Sequence, residues 1–117
     1  MIQSTDVNFI CADLEGLFLV YHQQMETSYD LVSVFRFLDR EHLPEIIPRL
    51  LKPGGLLIYE TFSRKQLDRD DSHIKDARFT LSPRELPRLY SSLSVVAHEE
   101  VDLSDRCVER LLARRES

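Results

Sequence analysis

Glycine is scarce in this chain. Its 117 residues hold three, Gly16, Gly54 and Gly55, where average usage near 7% would give roughly eight. No G-x-G-x-x-G, Walker-type phosphate loop or G-x-S-x-G can be written with them, which excludes sites built on those turns. Cysteine is limited to Cys11 and Cys107, both in apolar stretches and without C-x-x-C spacing. Buried reduced thiols are favoured over a disulfide or a metal site. His22, His42, His73 and His98 are scattered singly, so no zinc site or catalytic triad follows from them.

Long apolar runs are missing too. The stretch around Gly54 to Tyr59 is far short of the ~20 residues that a membrane span needs. Met1-Ile2-Gln3 opens no basic signal sequence, so a cytoplasmic protein without membrane contact is expected. Positive charge is in deficit: 15 Lys and Arg stand against 20 Asp and Glu, a net charge of −5. No general field attracts nucleic acid, and no nucleic-acid partner is expected. Only residues 64–88 lean basic, with seven cationic and five anionic side chains.

The 43% hydrophobic and 30% charged content is that of one globular domain, and no repeat or linker divides it. Val7 to Ala12, ending in Asp13, reads as a short strand covered on both faces. Leu31 to Phe35, introduced by Tyr29-Asp30, and Gly55 to Glu60 read the same way, so these strands should be parallel. Between them Leu43, Ile46, Ile47, Leu50 and Leu51 have helical spacing, with Asp39 as the expected N-cap. Pro44 suits a first turn, Pro48 bends or delays the helix, and Lys52-Pro53-Gly54-Gly55 is expected to end it with a left-handed glycine cap.

Asp30 to Glu60 is thus a right-handed β-α-β crossover. Ser63 to Asp76 reads as a long polar loop, and Ser82-Pro83-Arg84-Glu85 as a capping box opening a short helix to about Tyr90. Leu93 to Val101 and Arg106 to Arg114 read as a terminal hairpin, although the second segment also admits a helix.

This order resembles the C-terminal part of class I S-adenosylmethionine-dependent methyltransferases over about residues 7 to 114. Tyr29-Asp30-Leu31-Val32, with Leu51-Lys52-Pro53-Gly54-Gly55-Leu56-Leu57 through Phe62, is similar to that family's D-x-V and L-x-P-G-G-x-L-x-x-x-x-F signature. The similarity is greatest to small bacterial methyltransferases of the tellurite-resistance type. The implied fold is α/β: a partial Rossmann-like methyltransferase sheet carrying the equivalents of strands 3, 4, 5, 6 and 7, with a C-terminal antiparallel hairpin.

In open parallel sheets, ligands lie outside the carboxyl ends of the strands. The resemblance implies that Asp13 accepts the adenine amino group of S-adenosyl-L-methionine, with the Leu14 amide on the ring. It also implies that Val34, Phe35 and Arg36 line the cofactor beside its sulfonium, where an aromatic face suits a cation. Arg40, Glu60, Thr61 and Phe62 are the substrate-side candidates, facing a small-molecule methyl acceptor. Plainer readings stand beside these: Asp13 as a turn residue, Phe35 and Phe62 as core aromatics, and Arg36, Arg40 and Glu60 as solvated or paired charges. Gly54-Gly55 is read as structural.

The family's glycine-rich loop after its first strand and the acidic residue after its second are not among the 117 residues. One incomplete methyltransferase domain is the expectation, weak or inactive alone, with methyl transfer belonging to a full-length form. The alternatives are a non-catalytic binding or regulatory module that completes its sheet with a partner, and a truncated gene product. In the family order 3-2-1-4-5-7-6, strands 3 and 4 would stand about 14 Å apart at ~4.8 Å per strand. Strand 3 must therefore move beside strand 4, another chain must fill the gap, or the sequence is a fragment. An unpaired edge there would draw a homodimer or a partner chain.

Overall fold

A computed structural model describes residues 2–3, 8–12 and 29–116. The elements are β1 (Ile2–Gln3), β2 (Asn8–Ala12), β3 (Tyr29–Phe35), α1 (Leu43–Leu50), β4 (Leu51–Phe62), α2 (Glu85–Leu89), β5 (Ser94–Asp102) and β6 (Cys107–Arg114). They form one mixed sheet in the order β1-β2-β3-β4-β6-β5. β2, β3 and β4 are parallel, whereas β6 runs antiparallel to β4 and β5. This is the partial Rossmann-like sheet with its terminal hairpin, and β6 is a strand throughout. The expected gap is closed: Phe9 pairs with Leu31 and Ala12 with Val34, so the third-strand equivalent lies directly beside the fourth. Among the described residues no helix is long and apolar enough to cross a membrane.

α1 buries Leu43, Ile46, Ile47 and Leu50, as their spacing predicts. Its start differs from expectation. Asp39 Oδ1 accepts from the Glu41 and His42 amides, each at 2.8 Å, in a turn ahead of the helix. His42 is the N-cap and makes no side-chain cap. Proline explains the delay: a start at Leu43 keeps Pro44 in the first turn, where its missing donor costs nothing. Only Pro48 then interrupts the hydrogen-bond ladder.

The end of α1 also departs from the sequence reading. Leu51, the C-cap, is extended, and β4 begins there without a glycine turn. Gly54, at φ 85°, lies instead in a bulge of β4, where the register with β3 jumps from Tyr29↔Leu51 to Leu31↔Leu56. The helix carbonyls are met from far along the chain: Arg115 Nη1 donates to Pro48 O at 3.1 Å and to Leu51 O at 2.5 Å. The Arg115 backbone accepts from Gly54 N and donates to Gly55 O, closing the bulge against the end of β6.

Residues 63–80 are also more ordered than a polar loop predicts, with short 3-10 turns at Arg64–Asp68 and Ala77–Phe79. Buried Gln66 fixes the first of these, donating to Ser72 Oγ at 3.0 Å and accepting from the Cys107 amide at 2.8 Å. Cys107 itself is buried and free. α2 begins at Glu85 and has no side-chain cap from its own N-cap residue, Arg84. Half of the expected capping box survives, because the Glu85 carboxylate accepts from the Ser82 amide at 2.9 Å.

Strand alternation sorts the side chains onto two faces. Val32, Val34, Leu57, Tyr59, Leu111 and Ala113 are buried in one cluster with Leu43 and Ile47 of α1 and Leu86 of α2. On the opposite face Phe35 is 41% and Ile58 37% exposed, so that face is open among the described residues.

The two glycines of the bulge should respond differently to substitution. A Cβ on Gly55 would stand 2.9 Å from Lys52 O and 3.0 Å from Tyr29 O, both backbone atoms. At Gly54 it would meet only the end of the Arg114 side chain, at 3.7 Å. Gly55→Ala is expected to cost about 2–3 kcal/mol, and Gly54→Ala about 1 kcal/mol through its positive φ alone. Urea midpoints at constant m value measure both, and equal losses would contradict the geometry.

Candidate functional site

The parallel strands β3 and β4 carry Phe35 and Glu60 opposite one another near their carboxyl ends. Alternation places both on the open face and turns Val34 and Tyr59 toward the helices. Val34 is fully buried there, beneath the site. After Phe35 the strand does not simply continue. Arg36 takes φ 57°, in the left-handed region, while its amide donates to Glu60 O at 2.9 Å. A residue with a Cβ pays roughly 1–2 kcal/mol for that conformation. Phe35 and Arg36 are consequently exposed side by side.

Glu60 is held across the sheet by residues that sequence reasoning missed. Its Oε1 accepts from Arg110 Nε at 2.6 Å, Arg106 approaches Oε2 at 3.8 Å, and Arg110 also reaches Glu99 at 3.5 Å. Arg106 makes its closer contacts with Asp105, at 2.9 and 3.0 Å. Only the β4–β6–β5 register, Glu60↔Arg110↔Glu99, brings these charges into one row. The Glu60 side chain is just 12% exposed, so its pair is less screened than a surface ion pair.

Three adjoining cavities open at this end of the sheet. One of about 410 Å³ has Phe35, Ile58, Ala97 and Leu112 as its apolar floor, with Glu60 and Arg110 beside them. A second, of about 580 Å³, lies between Phe35, Arg36, Glu60 and Arg106. The third, of about 400 Å³, is lined by Arg36, Phe37, Leu38, Thr61, Phe62, Ile74 and Phe79. Phe35, Arg36, Glu60, Thr61 and Phe62 are thus brought together, whereas Asp13 and Leu14 lie outside the described residues. Ile74 and Phe79 were missed. Their only signal was apolarity inside an otherwise polar segment.

Arg40 stands apart from this group. Its guanidinium forms a two-point ion pair with Glu85 and donates to Arg78 O at 2.8 Å and Thr80 O at 2.7 Å. It ties the loop after β3 to the segment before α2, fixing the walls of the third cavity. Arg40 holds the Glu85 carboxyl down at about 2, against the opposing effect of partial burial. Tyr59 supports the same loop from below: its hydroxyl donates to Phe37 O at 2.6 Å, and burial keeps the phenol well above its ordinary pKa.

A carboxyl depressed in the folded state stabilises the protein fully above its ordinary value of 4.5, and that contribution is lost as pH falls toward 2. Thermal unfolding from pH 6 down to 2 is therefore expected to fall more steeply for the parent than for Glu85→Gln. Parallel curves would contradict the clasp. Arg40→Ala should cost about 2–3 kcal/mol at neutral pH, because it leaves a carboxylate and two carbonyls without their donor.

Solved structures of several methyltransferases share this fold. A SAM-dependent methyltransferase from Methanosarcina mazei superposes with a TM-score of 0.58 at 16% identity, over 78% of this chain and 61% of its own. TehB from Haemophilus influenzae gives 0.54 at 22% identity, over 81% and 38%. A variant of the 16S rRNA (adenine(1408)-N(1))-methyltransferase from Catenulisporales acidiphilia gives 0.58 at 17%, over 80% and 52%. The [4+2]-cyclase SpnF is as similar, with 0.58 at 12% identity, so the fold alone does not fix an activity. The chain spans between 38% and 61% of the length of these proteins. No family model and no curated protein matches the sequence. The described residues carry part of the fold of class I S-adenosylmethionine-dependent methyltransferases, as the motif from Asp30 to Phe62 implied.

Proposed function

We propose that the crevice at the carboxyl ends of β3 and β4 is part of a methyl-transfer site acting between S-adenosyl-L-methionine and a small-molecule acceptor. One observation carries this reading: the first and second cavities share Phe35 and Glu60, so an exposed aromatic ring and a carboxylate line the same crevice. When bound, the cofactor supplies an electrophilic methyl group on a positively charged sulfur. An aromatic face and a nearby carboxylate suit such a cation, so the residues present fit that end of it.

In this reading Phe35 offers its ring to the sulfonium, and Val34, buried below, fixes the strand that carries it. Glu60 is kept in place by Arg110, and Thr61 and Phe62 wall the acceptor side. Methyl transfer depends on bringing an electrophile and a nucleophile into line more than on a dedicated catalytic side chain, so the lack of a triad is no obstacle. Asp13 and the Leu14 amide are assigned to the adenine ring by the family resemblance. The absence of a glycine-rich loop from the 117 residues implies weak cofactor binding by this chain. Calorimetry with S-adenosylhomocysteine is expected to give millimolar affinity, weakened about fivefold in Phe35→Ala, the order of one cation–π or stacking contact. An unchanged affinity in that variant would overturn the assignment.

A second reading is favoured by the open sheet face. Parallel strands are ordinarily covered on both sides, yet here Phe35 of β3 and Ile58 of β4 remain 41% and 37% exposed. A non-catalytic module that covers this face with a second copy of itself would account for that surface. Sedimentation over a range of concentrations separates the two: association abolished by Ile58→Glu supports the module, and a strictly monomeric parent removes it.

A further inference from the structure

We infer that the third cavity binds a small organic acid, with an apolar, ring-sized body between Leu38, Phe62, Ile74 and Phe79 and its carboxylate on Arg36. This rests on the proposed methyl-transfer reading and deepens it by naming the class of acceptor. The first observation is charge. Arg40, Arg78, Arg106 and Arg110 each hold a carboxylate, and Arg64 donates to the hydroxyl and carbonyl of Thr80. Arg36 has no side-chain partner among the described residues; of the two cavities it lines, the second also has Glu60 in its wall, already held by Arg110, and the third has no acidic residue. An unneutralised guanidinium beside a cavity lined otherwise by apolar side chains and Thr61 selects an anion, and its planar fork matches a carboxylate at two points.

The second observation is backbone strain. Only Arg36 and Arg84 have positive φ among the described non-glycine residues, at 57° and 62°. Arg84 lies in a turn closed by Glu85 N donating to Ser82 O at 3.1 Å. Arg36 is held left-handed at the end of β3 by its hydrogen bond to Glu60, which puts its side chain out beside Phe35 and against both adjoining cavities. A residue kept in a costly conformation at the mouth of a cavity is where a binding role is expected. The third observation is shape. About 400 Å³ lies within the range of small-ligand pockets, and Phe79 forms one wall while 59% exposed. An aromatic or branched alkyl body would cover that ring.

The test uses benzoate and its neutral counterpart benzamide, titrated into the ¹⁵N-labelled chain at low salt with no methyl donor present. Benzoate is expected to bind about tenfold more tightly, with amide shifts concentrated at Arg36, Phe62, Ile74 and Phe79 and with affinity falling as salt is raised. Arg36→Gln should erase the preference and leave benzamide unaffected. Arg36→Gly gives an independent check, because glycine accepts the same backbone conformation: it should melt no lower than the parent and still lose the preference. Equal binding of the two probes, shifts confined to other regions, or benzoate affinity retained in either variant would overturn the inference. The measurement omits the cofactor, so a benzoate preference without cofactor binding would contradict only the methyl-transfer reading. Cofactor binding without that preference would contradict only the acceptor class.

Discussion

The parallel pairing of β3 with β4 is the constraint on which the rest of the molecule depends. Its register sets Phe35 opposite Glu60, and the bulge at Lys52-Pro53-Gly54-Gly55 sets the register. A slip of β3 by one residue would send Phe35 to the helix face and bring Val34 out into the open crevice beside Glu60. Gly55 allows the chain to pass close to the Tyr29 and Lys52 carbonyls, and Arg115 fastens the same bulge to the end of β6. The hairpin is thereby coupled to the site. Once β6 is anchored there, Arg110 falls beside Glu60.

Much of this architecture is legible in the amino-acid sequence, because it follows from local patterns. The apolar runs around Leu31 and Leu57, the helical spacing from Leu43 to Leu50 and the hairpin after Leu93 report burial directly. The errors have a common physical origin, which is interaction over long separations. Prolines and glycines after Leu51 looked like a helix terminator. The carbonyls that a glycine cap would have served are instead met by Arg115, which lies 64 and 67 positions away. Arg40 looked like a substrate-side cation until Glu85, 45 positions on, claimed it. The position of Phe35 and Glu60 at strand ends was legible from the apolar runs that lead into them. Arg106, Arg110, Ile74 and Phe79 were not, since nothing in their own neighbourhoods in the sequence points to strand ends elsewhere in the chain.

The apolar strands also carry information that the described fold leaves unused. Ile58 and Phe35 read as residues covered on both faces, yet among the described residues only one face has helices against it. The same exposed ring therefore supports two readings, a cation-facing wall of a methyl-transfer site and part of a surface that awaits another layer of polypeptide. Charge distinguishes them. A surface built only for apolar docking has no use for a nearly buried carboxylate gripped by arginine, or for a strained arginine beside it that is unpaired among the described residues, whereas a crevice that orients a cationic donor and an anionic acceptor would use both.

The most direct measurement is to map where the demethylated cofactor touches the protein. In ¹⁵N-labelled chain titrated with S-adenosylhomocysteine, the expected amide shifts gather at Phe35, Arg36, Glu60 and Thr61, the carboxyl ends of β3 and β4. Shifts gathered instead along β5 at Val95 and Val96, or spread without focus over the sheet, would contradict the placement of a methyl-transfer site at those strand ends.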